Sequence, residues 1–252
     1  KTSAGNWIER GPNNFGGRTR AIMFDPNDTN YKKVWAGGVA GGLWYNNDIT
    51  SNNSSWNSVD DFWPNLAIST IAFDPSNTSI YYVGTGEGYF NADAVRGDGI
   101  WKSLDSGATW NRISSTAVVS AFQYVYDIEV HPVTGDVYAA TRFGGLQRSQ
   151  NGGTTWTKVL GQGAGAGNNS IYNVKISEQG KIWVAVRSTG VYSSQTGDSG
   201  DFTKLNSTTN GFNPTGISRV EIAITPADTN YVYAMTESSG GVSGMFKSTN
   251  GG

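Results

Sequence analysis

The sequence predicts an all-β protein, a β-propeller made of four-stranded antiparallel blades. The phrase SLDSGATW at 103–110 recurs as SQNGGTTW at 149–156 and begins again at Ser248. The equivalent turn residues Asp25 and Thr225 are four repeats apart, a period of about 50 residues. Short β-branched and aromatic runs fill each period, and no stretch keeps a helical periodicity. Four short strands in a unit of this length are typical of a propeller blade.

Each unit opens with an apolar run that ends in a turn. These first strands are predicted at 21–26, 71–75, 128–132, 174–178 and 222–226. Second strands, rich in Tyr, Trp and Val, are predicted at 33–36, 81–84, 136–139, 181–184 and 231–234. Third strands that begin with Gly are predicted at 42–45, 99–102, 145–148, 190–193 and 244–247. Fourth strands are predicted at 55–57, 109–112, 155–158 and 201–204.

The recurring phrase joins the third strand of a blade to the fourth. Its glycines allow the positive φ of a tight turn, and its Asp or Asn accepts backbone N–H bonds within that turn. Its Trp leads the fourth strand and covers the hairpin with apolar surface. We therefore predict structural roles for Ser103, Asp105, Gly107, Thr109, Trp110, Ser149, Asn151, Gly153, Thr155 and Trp156.

We expect residues 1–252 to form one propeller domain that is incomplete at its C-terminal end. The blades are predicted at 18–57, 69–113, 124–159, 171–205 and 217–252. The segment 5–10 resembles a fourth strand without a blade of its own, and the sequence stops inside a hairpin. About five blades are therefore visible, and we expect a ring of seven or more, with further domains of the same polypeptide after residue 252.

Composition argues against several classes of protein. The net charge is −2 with no cluster of Lys or Arg, which argues against a nucleic-acid partner. No apolar run has the length of a membrane span. The chain has no Cys, so it has neither disulfides nor Cys-based metal sites.

The S-x-(D/N)-x-G-x-T-W phrase resembles the Asp-box, or bacterial neuraminidase repeat, found in sialidases, sortilin-type receptors, xyloglucanases and a photosystem assembly factor. The stretches 11–20 and 82–88 are similar to those of large secreted propellers that often end in a type IX secretion sorting domain. The resemblance implies an exported bacterial protein, secreted or held at the cell envelope. It specifies the fold and leaves the function to be argued from the site.

The chain departs from both enzyme branches of this family at a phrase that identifies each branch, which argues against hydrolysis. Sialidases have an Arg-Ile-Pro phrase, which is absent here. Xyloglucanases have an Arg-Thr-Asp-Ile-Gly-Gly phrase whose Asp is catalytic, and Val39 stands at that position in the matching stretch 37–42.

The connections after second and fourth strands share one face of the disc, and the longest ones are predicted to form the functional face. These loops are 58–69, 85–98, 114–124, 161–170, 207–216 and 237–243. The loop 85–98 combines three acids, an arginine and two aromatics, and the loop 58–69 adds two acids and two aromatics. The predicted ligand-binding residues are Asp60, Asp61, Trp63, Tyr89, Phe90 and Arg96.

Three functions remain open for this face. The first is an interaction module that binds a glycan or a protein partner, with aromatics for stacking and acids for hydroxyl groups. The second is a xyloglucanase-like hydrolase, for which Glu87, Asp93 and Asp98 are the weak catalytic candidates. The third is a scaffold or assembly factor. No cofactor is expected, although Asn91, Asp93 and Asp98 offer oxygen ligands of the kind calcium takes.

Overall fold

The computed structural model describes residues 18–89, 92, 94–161, 170–212, 216–225 and 227–252. Within these residues the chain forms five antiparallel sheets, four of four strands and one of three. The protein is thus all-β, with the blades of a β-propeller.

Each sheet takes its strands in sequence order. Blade one comprises β1 (Thr19–Phe24), β2 (Val34–Gly38), β3 (Gly42–Asn46) and β4 (Trp56–Ser58). Blade two comprises β5 (Ile68–Asp74), β6 (Asn77–Thr85), β7 (Ile100–Ser103) and β8 (Asn111–Arg112). Blade three comprises β9 (Val125–Val130), β10 (Val137–Thr141), β11 (Gly145–Ser149) and β12 (Thr157–Leu160). Blade four comprises β13 (Ile171–Ile176), β14 (Ile182–Val186), β15 (Gly190–Ser194) and β16 (Thr203–Lys204). Blade five comprises β17 (Arg219–Ile224), β18 (Val232–Ser238) and β19 (Gly241–Ser248).

The first strand of each blade is the innermost. β1 lies beside β5, β5 beside β9, β9 beside β13, and β13 beside β17, so the five first strands surround a central channel. Apolar residues of successive blades pack between the sheets. Tyr138 and Leu146 of blade three, for example, are fully buried against Val174 and Val184 of blade four. This apolar burial is the main stabilising contribution to such a stack of sheets.

Most inner strands carry a β-bulge at the same repeat position. In blades one to four the register with the second strand skips one residue, and the skipped residues are Arg20, Ser69, Tyr126 and Tyr172. A bulge adds an unpaired residue, bends the strand and re-aims its side chain. All four bulged residues line the central channel.

The recurring hairpin is closed by its own side chains. The Ser103 hydroxyl accepts the Gly107 N–H at 2.9 Å, and Asp105 accepts the Thr109 N–H at 2.8 Å. The Trp110 indole donates to the Gly107 carbonyl at 3.0 Å. The second copy repeats these bonds through Ser149, Asn151, Gly153, Thr155 and Trp156.

The prediction of a long loop at 237–243 is wrong. β18 continues to Ser238 and β19 starts at Gly241, so Ser239 and Gly240 alone join them. Both residues take positive φ, which suits a two-residue hairpin. The polar, Gly-rich composition of this segment is typical of a tight turn as well as of a loop.

The predicted loop 114–124 contains two short 3₁₀ turns, Ser114–Thr116 and Ser120–Phe122.

In the part of the chain that the structure covers, helices are too short and too polar to cross a membrane.

Candidate functional site

The five inner strands line a channel with a cavity of about 520 Å³. The strands turn alternate side chains into the channel and into the inter-blade core, as the period of two requires. In β9, for example, Asp127 and Glu129 line the channel while Ile128 and Val130 belong to the core. We call the end that holds Arg20, Tyr89 and Arg219 the channel mouth. It lies on the face of the turns that follow the second strands.

Three tyrosines form a stack at the channel mouth. Tyr89 comes from the long loop after β6, and its ring centroid lies 4.4 Å from that of Tyr126 and 6.0 Å from that of Tyr172. The Tyr126 hydroxyl donates to the Gly88 carbonyl at 2.5 Å, which fixes the loop next to Tyr89. Tyr126 and Tyr172 are buried, and Tyr89 is half-buried. The stack is therefore held together by ring contacts and by the bond from Tyr126 to the loop that carries Tyr89.

Arginines surround this stack. The guanidinium carbons of Arg20 and Arg219 lie 3.9 Å and 4.3 Å from the Tyr89 ring centroid. Arg187 hydrogen-bonds to the side chain of Tyr172. These distances are those of cation–π contacts, which gain strength where the rings are shielded from water.

The carboxylates at the mouth already have partners. Glu87 is buried, and Arg20 donates to it at 3.4 Å. Arg219 donates to Glu221 through two nitrogens, at 2.8 and 2.5 Å. Burial raises the pKa of the Glu221 carboxyl above its usual range, although Arg219 opposes the rise. Glu237 accepts hydrogen bonds from the Ser218 hydroxyl and the Gly240 N–H.

Deeper in the channel, Lys175 lies between two acids. Its ammonium nitrogen is 2.9 Å from Asp127 and 2.6 Å from Glu129. Burial alone would lower the pKa of Lys175, but the two carboxylates outweigh it and raise that pKa above its usual range. Burial raises the pKa of Glu129 in turn. The Asn173 side-chain amide donates a hydrogen bond to Asp127 at 2.7 Å, so the cluster consists of four residues, two on β9 and two on β13.

Among the predicted ligand-binding residues that the structure describes, Tyr89 is the one that lines the channel. Trp63 is only 8% exposed, and its ring stacks on Trp101 with centroids 4.5 Å apart. It packs in the core between blades one and two. Trp63 therefore presents almost no surface to a ligand.

Asp60, Asp61 and Arg96 lie exposed on the loops. Asp60 accepts the Phe62 N–H at 2.8 Å, and Asp61 accepts the Ser58 hydroxyl at 2.5 Å. The Asn65 side chain donates to the carbonyl of Arg96 at 2.5 Å, so the two loops touch. These residues form a surface beside the channel mouth.

The catalytic and calcium candidates fall partly outside the described residues. Phe90, Asn91 and Asp93 belong to the undescribed part of the chain. Asp98 forms an ion pair with Arg112 at 2.5 Å, on the outermost strand of blade two. Among the residues that are described, no group of three His, Asp or Glu side chains is placed to hold a metal ion.

The charged channel residues were missed by the sequence reasoning. Their signal is alternation within first strands: Asp127 and Glu129 alternate with core residues, as do Asn173 and Lys175, and Arg219 and Glu221. Polar residues at every second position of an innermost strand indicate a polar channel. No such pattern predicts that Tyr126 and Tyr172 line the channel, because their orientation depends on the β-bulges.

Known proteins resemble this chain mainly in fold. No family model matches it. A xyloglucanase from Paenibacillus sp is 28% identical over an alignment of 161 residues, and the match covers 55% of this chain and 14% of that relative's length. The chain thus spans a small part of that protein.

Solved structures extend the likeness to almost the whole chain. An ancestral GH74 enzyme superposes with a TM-score of 0.60 at 18% identity, over 91% of this chain and 32% of the enzyme. The GH74 enzyme of Niastella koreensis superposes with a TM-score of 0.55 at 19% identity, over 94% of this chain and 44% of the enzyme. An extracellular domain assigned to a hybrid two-component system of B. thetaiotaomicron superposes with a TM-score of 0.65 at 16% identity. This match covers 95% of this chain and 28% of that domain. At these identities the likeness shows the β-propeller fold.

Proposed function

We propose that this chain is part of a secreted or cell-surface β-propeller module that binds a glycan at the channel mouth without cleaving it. The observation that carries the proposal is the channel cavity of about 520 Å³, lined with polar side chains from all five inner strands. This volume falls within the usual range of ligand sites, about 300–1,000 Å³.

A sugar fits this lining because its hydroxyl groups both donate and accept hydrogen bonds. The polar side chains of this lining include Ser69, Thr70, Asn173, Asp127 and Lys175, the last four of which also bond to one another. The half-buried Tyr89 ring adds apolar surface at the mouth for a sugar. Rigid strands supply most of these groups, so little ordering entropy is lost when a ligand binds.

A hydrolase is the second candidate, favoured by the sequence match to a xyloglucanase. The arrangement of carboxylates weighs against it. Glycoside hydrolysis requires two carboxyl groups that are free to act as acid and as base or nucleophile. Glu87 is buried against Arg20, and Asp98 is paired with Arg112. Val39 is a buried apolar residue at the position where the resemblance would place a catalytic Asp.

The test is a binding titration of the chain with a panel of soluble polysaccharide oligomers, xyloglucan included, with reducing ends assayed in parallel. We expect binding without release of reducing ends. Tyr89→Ala should weaken binding about tenfold, since it removes the ring that the arginines contact. Phe62→Ala, on an exposed aromatic of the same face, is the matched control.

Each alternative has its own outcome in this assay. Release of reducing ends that is lost in Asp98→Asn would favour the hydrolase. Loss of binding in Phe62→Ala but not in Tyr89→Ala would move the site from the channel mouth to the loop surface. An absence of binding to every glycan would favour the scaffold role or a protein partner.

A further inference from the structure

In the first three blades, the turn after the first strand is held by the side chain of the residue at its start. In blade one the Asp25 carboxylate accepts the N–H of Asn27 at 2.9 Å, and in blade two Asp74 accepts the N–H of Ser76 at 2.8 Å. Blade three has His131 at this repeat position, the only histidine of the chain. An imidazole ring thus stands where the first two blades have a carboxylate.

His131 holds its turn through one nitrogen of the ring. Nδ1 accepts the backbone N–H groups of Val133 and Thr134, both at 3.2 Å. A ring nitrogen that accepts hydrogen bonds carries no proton, so the proton of the neutral ring is on Nε2. Nε2 lies 3.1 Å from the carbonyl oxygen of Gly180 and donates to it. The hydrogen-bond partners therefore select the neutral ring with its proton on Nε2.

The same ring joins two blades. Gly180 belongs to the turn between β13 and β14 of blade four. Its φ is +88°, and a Cβ added there would lie 2.6 Å from the buried ring, so the ring is in direct contact with this backbone. Asp25 makes the comparable link between blades one and two, because it accepts the Tyr81 hydroxyl at 2.8 Å. His131 thus holds both its own turn and the junction with the next blade.

The charged groups on the elements around the ring lie in solvent or have other partners. Asp136 of blade three is paired with Arg148 at 2.6 Å. On the blade-four turn, the Lys181 ammonium donates to the carbonyl of Gly251 at 2.8 Å, and Glu178 is exposed. Among the described residues, the ring of His131 therefore contacts backbone groups and has no carboxylate partner to stabilise a second proton.

A second proton on the ring would reverse the role of Nδ1. Both nitrogens of an imidazolium are donors, so Nδ1–H would face the N–H groups of Val133 and Thr134 with no acceptor between them. The turn must then separate from the ring, and two hydrogen bonds are lost. Histidine is the type of side chain whose charge ordinarily changes between pH 5 and 8. Acidification through this range therefore acts on this contact.

We propose that His131 forms an acid-sensitive contact, which ties its turn to blade four while the ring is neutral and releases the turn when the ring is protonated. The unfolded chain takes up this proton freely and the folded state opposes it, so the contribution of the contact to stability is lost as the pH falls. The contact lies on the face opposite the channel mouth and is independent of glycan binding.

The test measures how readily the turn opens at two pH values. Hydrogen exchange of the Val133 and Thr134 amides is followed by NMR at pH 7.5 and 5.0, and each rate is divided by the intrinsic rate at that pH. We expect the corrected rates to be about tenfold higher at pH 5.0, because two hydrogen bonds are lost. The Asn27 and Ser76 amides, which carboxylates hold in the equivalent turns, are the internal control and should change less than about twofold.

Two substitutions remove the titration and keep an acceptor at this position. His131→Asp introduces the residue of blades one and two, and His131→Asn supplies an amide oxygen. Both should reduce the pH effect on the Val133 and Thr134 amides to less than about twofold. Glu178→Gln, which neutralises an exposed charge on the neighbouring turn, should retain the tenfold effect. Melting curves show whether each variant is folded, and the comparison of amides within the unaltered chain needs no variant.

Three results would overturn the inference. The first is a corrected rate at Val133 and Thr134 that is the same at both pH values in the unaltered chain. The second is a tenfold effect that persists in both His131 variants, because another group would then be responsible. The third is an equal increase at the Asn27 and Ser76 amides, which would show a general loosening of the blades and not the release of this turn.

Discussion

Two neighbouring aromatic residues show how position decides what a side chain does. Phe62 is 93% exposed, whereas Trp63 is 8% exposed and stacked on Trp101. The loop between β4 and β5 therefore turns one aromatic ring outward and closes the gap between two blades with the next. From composition alone, both aromatic residues would be expected to contact a ligand.

Trp63→Ala should lower the free energy of unfolding by about 3–5 kcal/mol, because it leaves a cavity beside Trp101 and Trp110. Phe62→Ala should change it by less than about 0.5 kcal/mol. Urea unfolding followed by fluorescence measures both. Equal effects of the two substitutions would contradict the packing described for Trp63.

Asp25 links the first two blades through a buried carboxylate. It accepts hydrogen bonds from the Trp35 indole at 2.9 Å and the Tyr81 hydroxyl at 2.8 Å, and Lys33 lies 2.8 Å away. Burial raises the pKa of Asp25, but the bonds from Lys33, Trp35, Asn27 and Tyr81 outweigh burial and hold that pKa below its usual 3.8. A carboxyl group whose pKa is lowered in the folded state stabilises the fold at pH values above its pKa in the unfolded chain. This stabilisation is lost as the pH falls through the pKa of the folded state.

Asp25→Asn should therefore cost about 2–3 kcal/mol of unfolding free energy at neutral pH, where it leaves Lys33 without its partner. The gap between the variant and the unaltered chain should narrow as the pH falls below about 3.8. Asp61→Asn, on an exposed carboxylate, is the control. Denaturant unfolding across pH 2–7 measures the gap, and a gap that widens toward low pH would contradict this assignment.

Among the structural elements, the recurring hairpin contributes to the contacts between blades. Gly107 of blade two packs against the Trp35 ring of blade one, and the Trp183 indole of blade four donates to the carbonyl of Gly251 in blade five at 3.0 Å. Lys102 likewise donates to the carbonyl of Gly152 at 3.0 Å. The hairpin of one blade thus serves as a contact for the blade before it.

Gly107→Ala should be strongly destabilising. The φ of Gly107 is +85°, and an added Cβ would lie 2.4 Å from the Trp35 ring. Gly200 has a φ of +98° with no atom within 4 Å of such a Cβ, so Gly200→Ala carries the backbone cost alone. We expect losses of about 3 and about 1 kcal/mol respectively. Similar losses for both, measured by thermal unfolding, would contradict the contact with Trp35.

The strands could be predicted because the repeats are visible in the sequence itself. Turn residues recur at fixed positions, and the runs between them alternate as β-strands do. The bulges at Arg20, Ser69, Tyr126 and Tyr172 could not be predicted, because a bulge depends on pairing with a partner strand. The tyrosine stack brings Tyr89 and Tyr172 together across 83 positions of sequence, for which no local pattern exists.

For the molecule as a whole, the apolar faces of the blades determine whether it self-associates in solution. Tyr138 and Leu146 of blade three are fully buried under blade four. The equivalent residues of blade five are Tyr233, which is 39% exposed, and Met245, which is 73% exposed. Met235 pairs with Met245 across the strands and widens this bare apolar face. Contiguous apolar surface of this kind promotes association.

The 252-residue chain produced alone should therefore self-associate in a concentration-dependent manner. Replacing Met235 and Met245 by Gln should reduce this association, and Val133→Gln, an isolated exposed apolar residue on a turn, should not. Sedimentation velocity at several concentrations measures the effect. Association unchanged by the double substitution would show that another surface is responsible.

The most direct test of the site is a crystal structure of the chain with the glycan oligomer that binds most tightly in the titration. We predict that a sugar ring of the ligand lies beside the Tyr89 ring at the channel mouth, with its hydroxyl groups directed into the channel. A ligand bound instead among Asp60, Asp61, Phe62 and Arg96, with the channel mouth unoccupied, would contradict this account.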